Sequence, residues 1–258
     1  MALDDLIQEE IPADDPLNTD RFKSLVLRLI AEKPDLDRPI RILGVGEGRT
    51  PLLDPDEMRA LDVEYWLADV SQTELDQLDS SIFGDVKLLC FDISTPDLRR
   101  VGSVPLHHFD LVLSRSLLEH VSDTDQALAN CAELLAPGGV MVHFFPTLWN
   151  PVFIANKLLP ERVSSGVLKK VVNFQHEKFP ALYHRTTSGA LQERRLRSLG
   201  LVDVAVVPFW GHNYLHFLPP VHRLERRFAQ LARRRDWRWY TTYCFIGGRR
   251  PAGPASQG

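Results

Sequence analysis

The chain has 258 residues, 44% of them apolar and 25% charged, with a formal net charge of −4. That composition belongs to an ordinary globular protein long enough for one α/β domain with a sizeable core, and it carries no overall nucleic-acid signature. Cys90, Cys131 and Cys244 sit far apart without the spacing of a zinc site or redox pair, so no metal is expected and a reducing cytoplasm fits.

The opening "MALDDLIQEE" lacks the basic segment and apolar run of a signal peptide. Residues 1–20 hold seven acids and no base, with Pro12 and Pro16 among them, which predicts a flexible acidic arm over residues 1–19. A helix follows from Asp20 to Glu32, with Phe22, Leu25, Val26, Leu29 and Ile30 at helical spacing, stopped by "KPDLDRP". Short apolar runs then read as strands: "IRILGV", "VEYWLADV", "VKLLCFDI", "FDLVLS" and "GVMVHFF". Their near-continuous apolar character suits a sheet covered on both faces.

Helix signals lie between these runs. "SQTE" (Ser71–Glu74) and "SDTD" (Ser122–Asp125) each offer a capping hydroxyl with an acid three residues on. "TPLLDPDEM" offers two helix starts, Thr50 with Pro51 or Asp54 with Pro55 and Glu57, and Pro55 argues against one long helix. The helix through "ALANCAELLA" stops at Pro137, Gly138 and Gly139. Strand and helix in alternation predict a parallel sheet.

Past residue 146 the rhythm changes. The apolar stretch 139–155 is interrupted by His143, Pro146, Asn150 and Pro151, so it does not span a membrane. Residues 147–185 show no strand pattern; "TSGALQERRLRSLG" reads as a helix, and "LVDVAVVPFW" and "WRWYTTYCFIGG" as two further strands. Between these strands, "PPVHRLERRFAQLARRR" puts Val221, Leu224, Phe228 and Leu231 on one helical face. Residues 221–250 hold nine arginines against two acids, read as a solvated face rather than an RNA or anionic-lipid site. The tail 251–258 is expected to be disordered, and nothing divides residues 20–250 into two domains.

The residues "RILGVGEGRT" run a buried strand into alternating glycines. A dinucleotide turn needs GxGxxG, and the sixth position is Arg49 counted from Gly44 and Pro51 counted from Gly46, so both frames fail. The spacing resembles instead the first motif of class I methyltransferases that use S-adenosylmethionine, an acid followed by GxGxG. The resemblance continues through "YWLADV" ending at Asp69, "LLCFDIS" with Asp92, and "FDLVLSRSLLEHVSDTDQALANCAELLAPGGVMV", over roughly residues 38–146.

That resemblance implies a doubly wound, Rossmann-like, seven-stranded, mostly parallel sheet with an antiparallel last strand and a helical lid over about 147–185. It implies S-adenosyl-L-methionine as cofactor, contacted by Gly44, Gly46, Glu47, Gly48, Asp69, Val70, Asp92, Ile93 and Ser114. Asp69 would take the ribose hydroxyls and Asp92 the adenine amine. The sequence departs from the pattern at Gly44, where the family has its acid, and at Thr50, where it has its third glycine. Glu47 lies in the same turn and can supply the missing charge.

Methyl transfer needs a base only for a nucleophile that arrives protonated. His184 and Tyr183 at the end of the lid, with His212 and then His176, are the candidate proton-handling residues. Some quinone-pathway methyltransferases resembling this run bind a metal through a Glu three positions before the EH pair, but Ser116 stands there, so Glu119 and His120 read as supporting groups. The expected reaction is O-methylation of a small-molecule, glycan or lipid-linked acceptor. No nucleic-acid partner is expected, and the basic and apolar residues of the lid suit a weak membrane-surface contact. A binding or scaffold protein on a decayed methyltransferase fold is the alternative.

Overall fold

The computed structural model describes residues 2–10, 19–33, 36–148, 154, 182–211 and 219–253. Seven strands form one sheet: β1 (Ile40–Val45), β2 (Val63–Asp69), β3 (Lys87–Cys90), β4 (Phe109–Arg115), β5 (Leu135–Pro146), β6 (Val202–Phe209) and β7 (Tyr243–Arg249). Their order is β3-β2-β1-β4-β5-β7-β6. β1 to β5 pair in parallel, while β7 runs antiparallel to both β5 and β6. The order reverses between β1 and β4, and at such a switch point the carboxyl ends of neighbouring strands open a crevice.

Helices cover both faces, which explains the continuous apolar runs. On one face α1 (Leu3–Glu10), α2 (Thr19–Ala31) and α3 (Pro55–Ala60) send Leu6, Phe22, Leu25 and Met58 against Ile42, Leu111, Val142 and Phe245. On the other, α5 (Thr124–Leu134) and α6 (Ala190–Ser198) bring Leu128, Cys131 and Leu196 to Leu43, Val112, Met141 and Ile246. After β2 comes α4 (Gln72–Leu75), whose Leu75 joins the first of these two clusters, and after β6 comes α7 (Pro219–Arg234).

Asp110, the acid of the "FD" pair, is structural. It takes both prongs of the Arg38 guanidinium at 2.7 and 3.0 Å and accepts from the Arg41 amide at 2.9 Å. Burial alone would raise its pKa, but these donors outweigh it and hold the carboxyl below its ordinary value.

Several expectations are corrected. Residues 3–10 are not part of a flexible arm: Leu3, Leu6 and Ile7 recur on one side of α1 and are fully buried, and the Leu3 amide donates to Asp203 Oδ1 at 3.0 Å. The cap of α5 is Asp123, which accepts from Asp125 and Gln126, and not Ser122 one residue earlier. Helix α5 ends at Leu134, and β5 already runs through Pro137, Gly138 and Gly139 because Leu135 pairs with Phe109. Of the two offered starts, Asp54 caps α3, in a reciprocal box with Glu57 and with Pro55 in the first turn, so the loop after β1 is long. Ser71 caps α4 as its spacing predicts.

Candidate functional site

The crevice is built from the bend after β1. Gly44, the buried penultimate residue of β1, pairs with Leu67 on β2 and Leu113 on β4. Gly46 and Gly48 follow with φ of 70° and 57°, conformations that favour glycine. A Cβ on Gly46 would lie 2.6 Å from Leu117 Cδ1, so the chain after β4 closes directly over the bend.

A Cβ on Gly44 would lie 2.6 Å from Glu47 Cδ and 2.9 Å from the Tyr65 hydroxyl. The Glu47 carboxyl therefore folds back into the space that a side chain on residue 44 would occupy. Tyr65 donates its hydroxyl to Glu47 Oε2 at 2.6 Å, and the Leu52 backbone gives a further hydrogen bond. Burial nevertheless dominates and pushes the Glu47 pKa up to about 7. Tyr65, whose own pKa is driven far up by burial and then by Glu47, is a site residue that the sequence reading missed. Its only signal was a hydroxyl-bearing side chain inside the apolar run of β2.

Asp69 ends β2 facing the same bend. Its Oδ2 accepts from the Gly48 amide at 3.2 Å and its Oδ1 from the Ser71 amide at 2.9 Å. Each carboxylate oxygen has two lone pairs, so the group retains acceptor capacity after both bonds. Asp92, just beyond β3, is exposed, and its Oδ1 accepts from the amide and hydroxyl of Ser94 at 2.8 and 2.7 Å. Val70 is an exposed neighbour of Asp69. Ile93 is buried, and its carbonyl accepts from Asn130 at 2.7 Å.

Ser114 is placed differently from a ligand-facing hydroxyl. It is fully buried, with its Oγ 2.8 Å from His143 Nδ1 on β5. Burial lowers the His143 pKa to about 3, so the ring is neutral. His143 entered the sequence reading only as an interruption of an apolar stretch; pairing Ser114 with His143 needs the β4–β5 register.

Residues 182–184 lie against the chain that follows β4. The amides of Leu182 and Tyr183 donate to the Glu119 carbonyl at 2.7 and 3.0 Å, and the Thr124 hydroxyl donates to the His184 carbonyl. Tyr183 is buried with φ of 50°, while the His184 side chain is exposed. Glu119 is buried too, its pKa raised to about 8 by desolvation, and its Oε2 has no hydrogen-bond partner among the described residues. His120 Nε2 stands 3.8 Å from its other oxygen. His176 and His212 lie outside the described residues, as does most of the expected lid segment 147–185.

A protein-family model described as a methyltransferase domain matches residues 43–141, the span that carries the bend, Asp69, Asp92 and Glu119. The ubiquinone biosynthesis O-methyltransferase of Mesorhizobium japonicum is 28% identical over 130 residues, covering 49% of this chain and 50% of that protein. The chain thus matches about half the length of that relative. Two solved structures share the fold. A methyltransferase dependent on S-adenosylmethionine from Archaeoglobus fulgidus has a TM-score of 0.54 at 16% identity, over 90% of this chain and 95% of that one. The DszA carbon methyltransferase has a TM-score of 0.56 at 18% identity, over 93% and 57%. Residues 43–141 thus match a methyltransferase domain, and the seven-stranded order is the fold shared with these solved methyltransferases.

Proposed function

We propose that this protein is an enzyme that transfers a methyl group from S-adenosylmethionine to oxygen on a small-molecule, glycan or lipid-linked acceptor. The observation that carries the reading is the Gly48–Asp69 hydrogen bond, which sets a carboxylate at the end of β2 against the glycine bend after β1. The donor set fits the cofactor by its chemistry. Asp69 suits two vicinal ribose hydroxyls, Asp92 an exocyclic amine, and Glu47 the ammonium of the methionine part. Gly44, Gly46 and Gly48 let the backbone approach, with Val70 and Ile93 as apolar neighbours of the adenosyl group. Ser114 contributes by bracing β4 against β5.

When bound, the cofactor supplies an electrophilic sulfonium methyl, so the chain's own task is alignment and exclusion of water. For a hydroxyl acceptor, Tyr183 and His184 are the proposed proton-handling residues, because Glu119 and Thr124 tether their backbone at the crevice; His212 stands behind them. Glu119 holds its proton at neutral pH and serves there as a hydrogen-bond donor. Oxygen is preferred because the Mesorhizobium japonicum relative is named as an O-methyltransferase. The degenerate-scaffold alternative rested on Gly44 and Thr50, and Glu47 in the place of the missing acid argues against it.

The cytoplasm is the proposed setting; Cys90, Cys131 and Cys244 are free thiols. The test is incubation with methyl-labelled cofactor and fractionated extract, followed by chemical identification of the labelled product. Label on a hydroxyl oxygen is expected. Tight cofactor binding with no label transferred to any fraction would favour the scaffold.

A further inference from the structure

We propose that helix α7, with the aromatic turn after it, docks this protein on the surface of an anionic phospholipid bilayer. The observation is a reversal of how a core helix is built. Val221, Leu224, Phe228 and Leu231 form one row along α7, and they are 45%, 70%, 38% and 42% exposed. The helix faces the protein body instead with Ala229 and Ala232, packed on Trp210, Trp237 and Tyr240. Single exposed apolar residues are ordinary, but a continuous row of four large ones marks an interaction surface.

The row continues into aromatic residues. The Phe228 ring is 5.8 Å from that of Trp237 and 4.7 Å from that of Tyr240, and Trp239 stacks on Trp237 at 5.7 Å. Trp239 is itself 61% exposed. A tryptophan with one face on protein and the other outward is the side chain that favours the boundary between water and acyl chains.

Charge selects the occupant. At helical spacing, Arg223, Arg227 and Arg234 make the row next to the apolar one, and all three are exposed. The two acids of residues 221–250 do not oppose them: Asp236 pairs with Arg238 at 3.0 Å, and Glu225 has its side chain nearly buried beside His222 at 3.5 Å. The whole chain is net negative, at −4, so attraction to anionic headgroups needs a local basic patch, and this row supplies one. A helix with an apolar row edged by arginines lies in the interfacial plane of a bilayer. RNA would use the arginines and leave the apolar row without a role.

The test is co-sedimentation of the full chain with vesicles of phosphatidylcholine, alone or mixed with phosphatidylglycerol. Binding is expected only to the mixed vesicles and should weaken steeply with salt. Replacing Arg227 or Arg234 by Gln should lower the partition coefficient roughly fivefold each. The pair Leu224→Glu with Leu231→Glu should lower it by more than about tenfold with the thermal midpoint unchanged, because both side chains are already exposed. Equal binding to both vesicle types, no binding, or binding that survives the Leu224→Glu, Leu231→Glu pair would overturn the proposal. So would light scattering showing a wild-type dimer that this pair dissociates, which would assign the row to a second copy. A large drop in the midpoint would assign it to another segment of the same chain.

Discussion

Glu47 and Gly44 share one space: the carboxyl of the first fills the position that a side chain on the second would need, with Glu47 Cδ 2.6 Å from a Cβ at residue 44. A carboxyl carried three residues further along the chain thus folds back onto position 44.

Gly44→Ala therefore collides with Glu47 and with the Tyr65 hydroxyl, and overpacking of this kind costs about 1–3 kcal/mol. Urea unfolding should show that loss. Gly44→Asp combined with Glu47→Ala should recover most of it together with cofactor affinity, since the two positions compete for one volume and their effects are not additive. Equal damage from the single and paired changes would mean that the space is not shared.

A second expectation concerns pH. Burial raises the Glu47 carboxyl from its usual 4.5 to about 7, so it is largely protonated in the free protein at mildly acid pH. An ammonium partner requires the charged form, so cofactor affinity should increase as pH rises toward about 7 and level off above it. Titration calorimetry at several pH values should give that curve for the wild type and a flat one for Glu47→Gln. For folding, the same raised value means that stability present below 4.5 is lost as pH rises through about 7.

His143 works in the opposite direction. Its pKa is lowered by burial from 6.5 to about 3, so the unfolded chain takes up a proton that the folded state refuses. The stability it contributes is complete above 6.5 and drains as pH falls toward 3, by about 2 kcal/mol at pH 5 at 1.36 kcal/mol per unit. Denaturation of His143→Gln at neutral and acid pH should show a shallower acid loss than the wild type. An unchanged slope would place the acid sensitivity elsewhere.

The first helix gives a fourth prediction. Leu6 is buried against the sheet, so Leu6→Ala should cost about 2–4 kcal/mol, as for other truncated core leucines. A mobile arm would tolerate the change without effect on the melting curve.

The sheet was legible because its strands are short, apolar and separated by capped helices, and the crevice because glycines and carboxylates fall at strand ends. Other features needed three dimensions. The seven acids of the first twenty residues concealed the buried row of Leu3, Leu6 and Ile7 that seats a helix on the sheet. Periodicity placed Val221, Leu224, Phe228 and Leu231 on one face without saying what covers it, and the covered side turned out to be that of Ala229 and Ala232. Linear spacing put Glu47 in the same turn as Gly44, but that the two positions compete for one volume is visible only in the fold. His143 beside Ser114 follows from the register of two strands 29 residues apart, which no local pattern encodes.

The most direct measurement is calorimetric titration of the wild type and of Asp69→Ala with S-adenosylmethionine. Saturable binding by the wild type, weakened at least about tenfold by loss of the carboxylate with its charge-assisted hydrogen bonds, is the result predicted. No heat from a folded wild type, or equal affinity in the two proteins, would contradict the placement of the adenosyl group between the glycine bend and the end of β2.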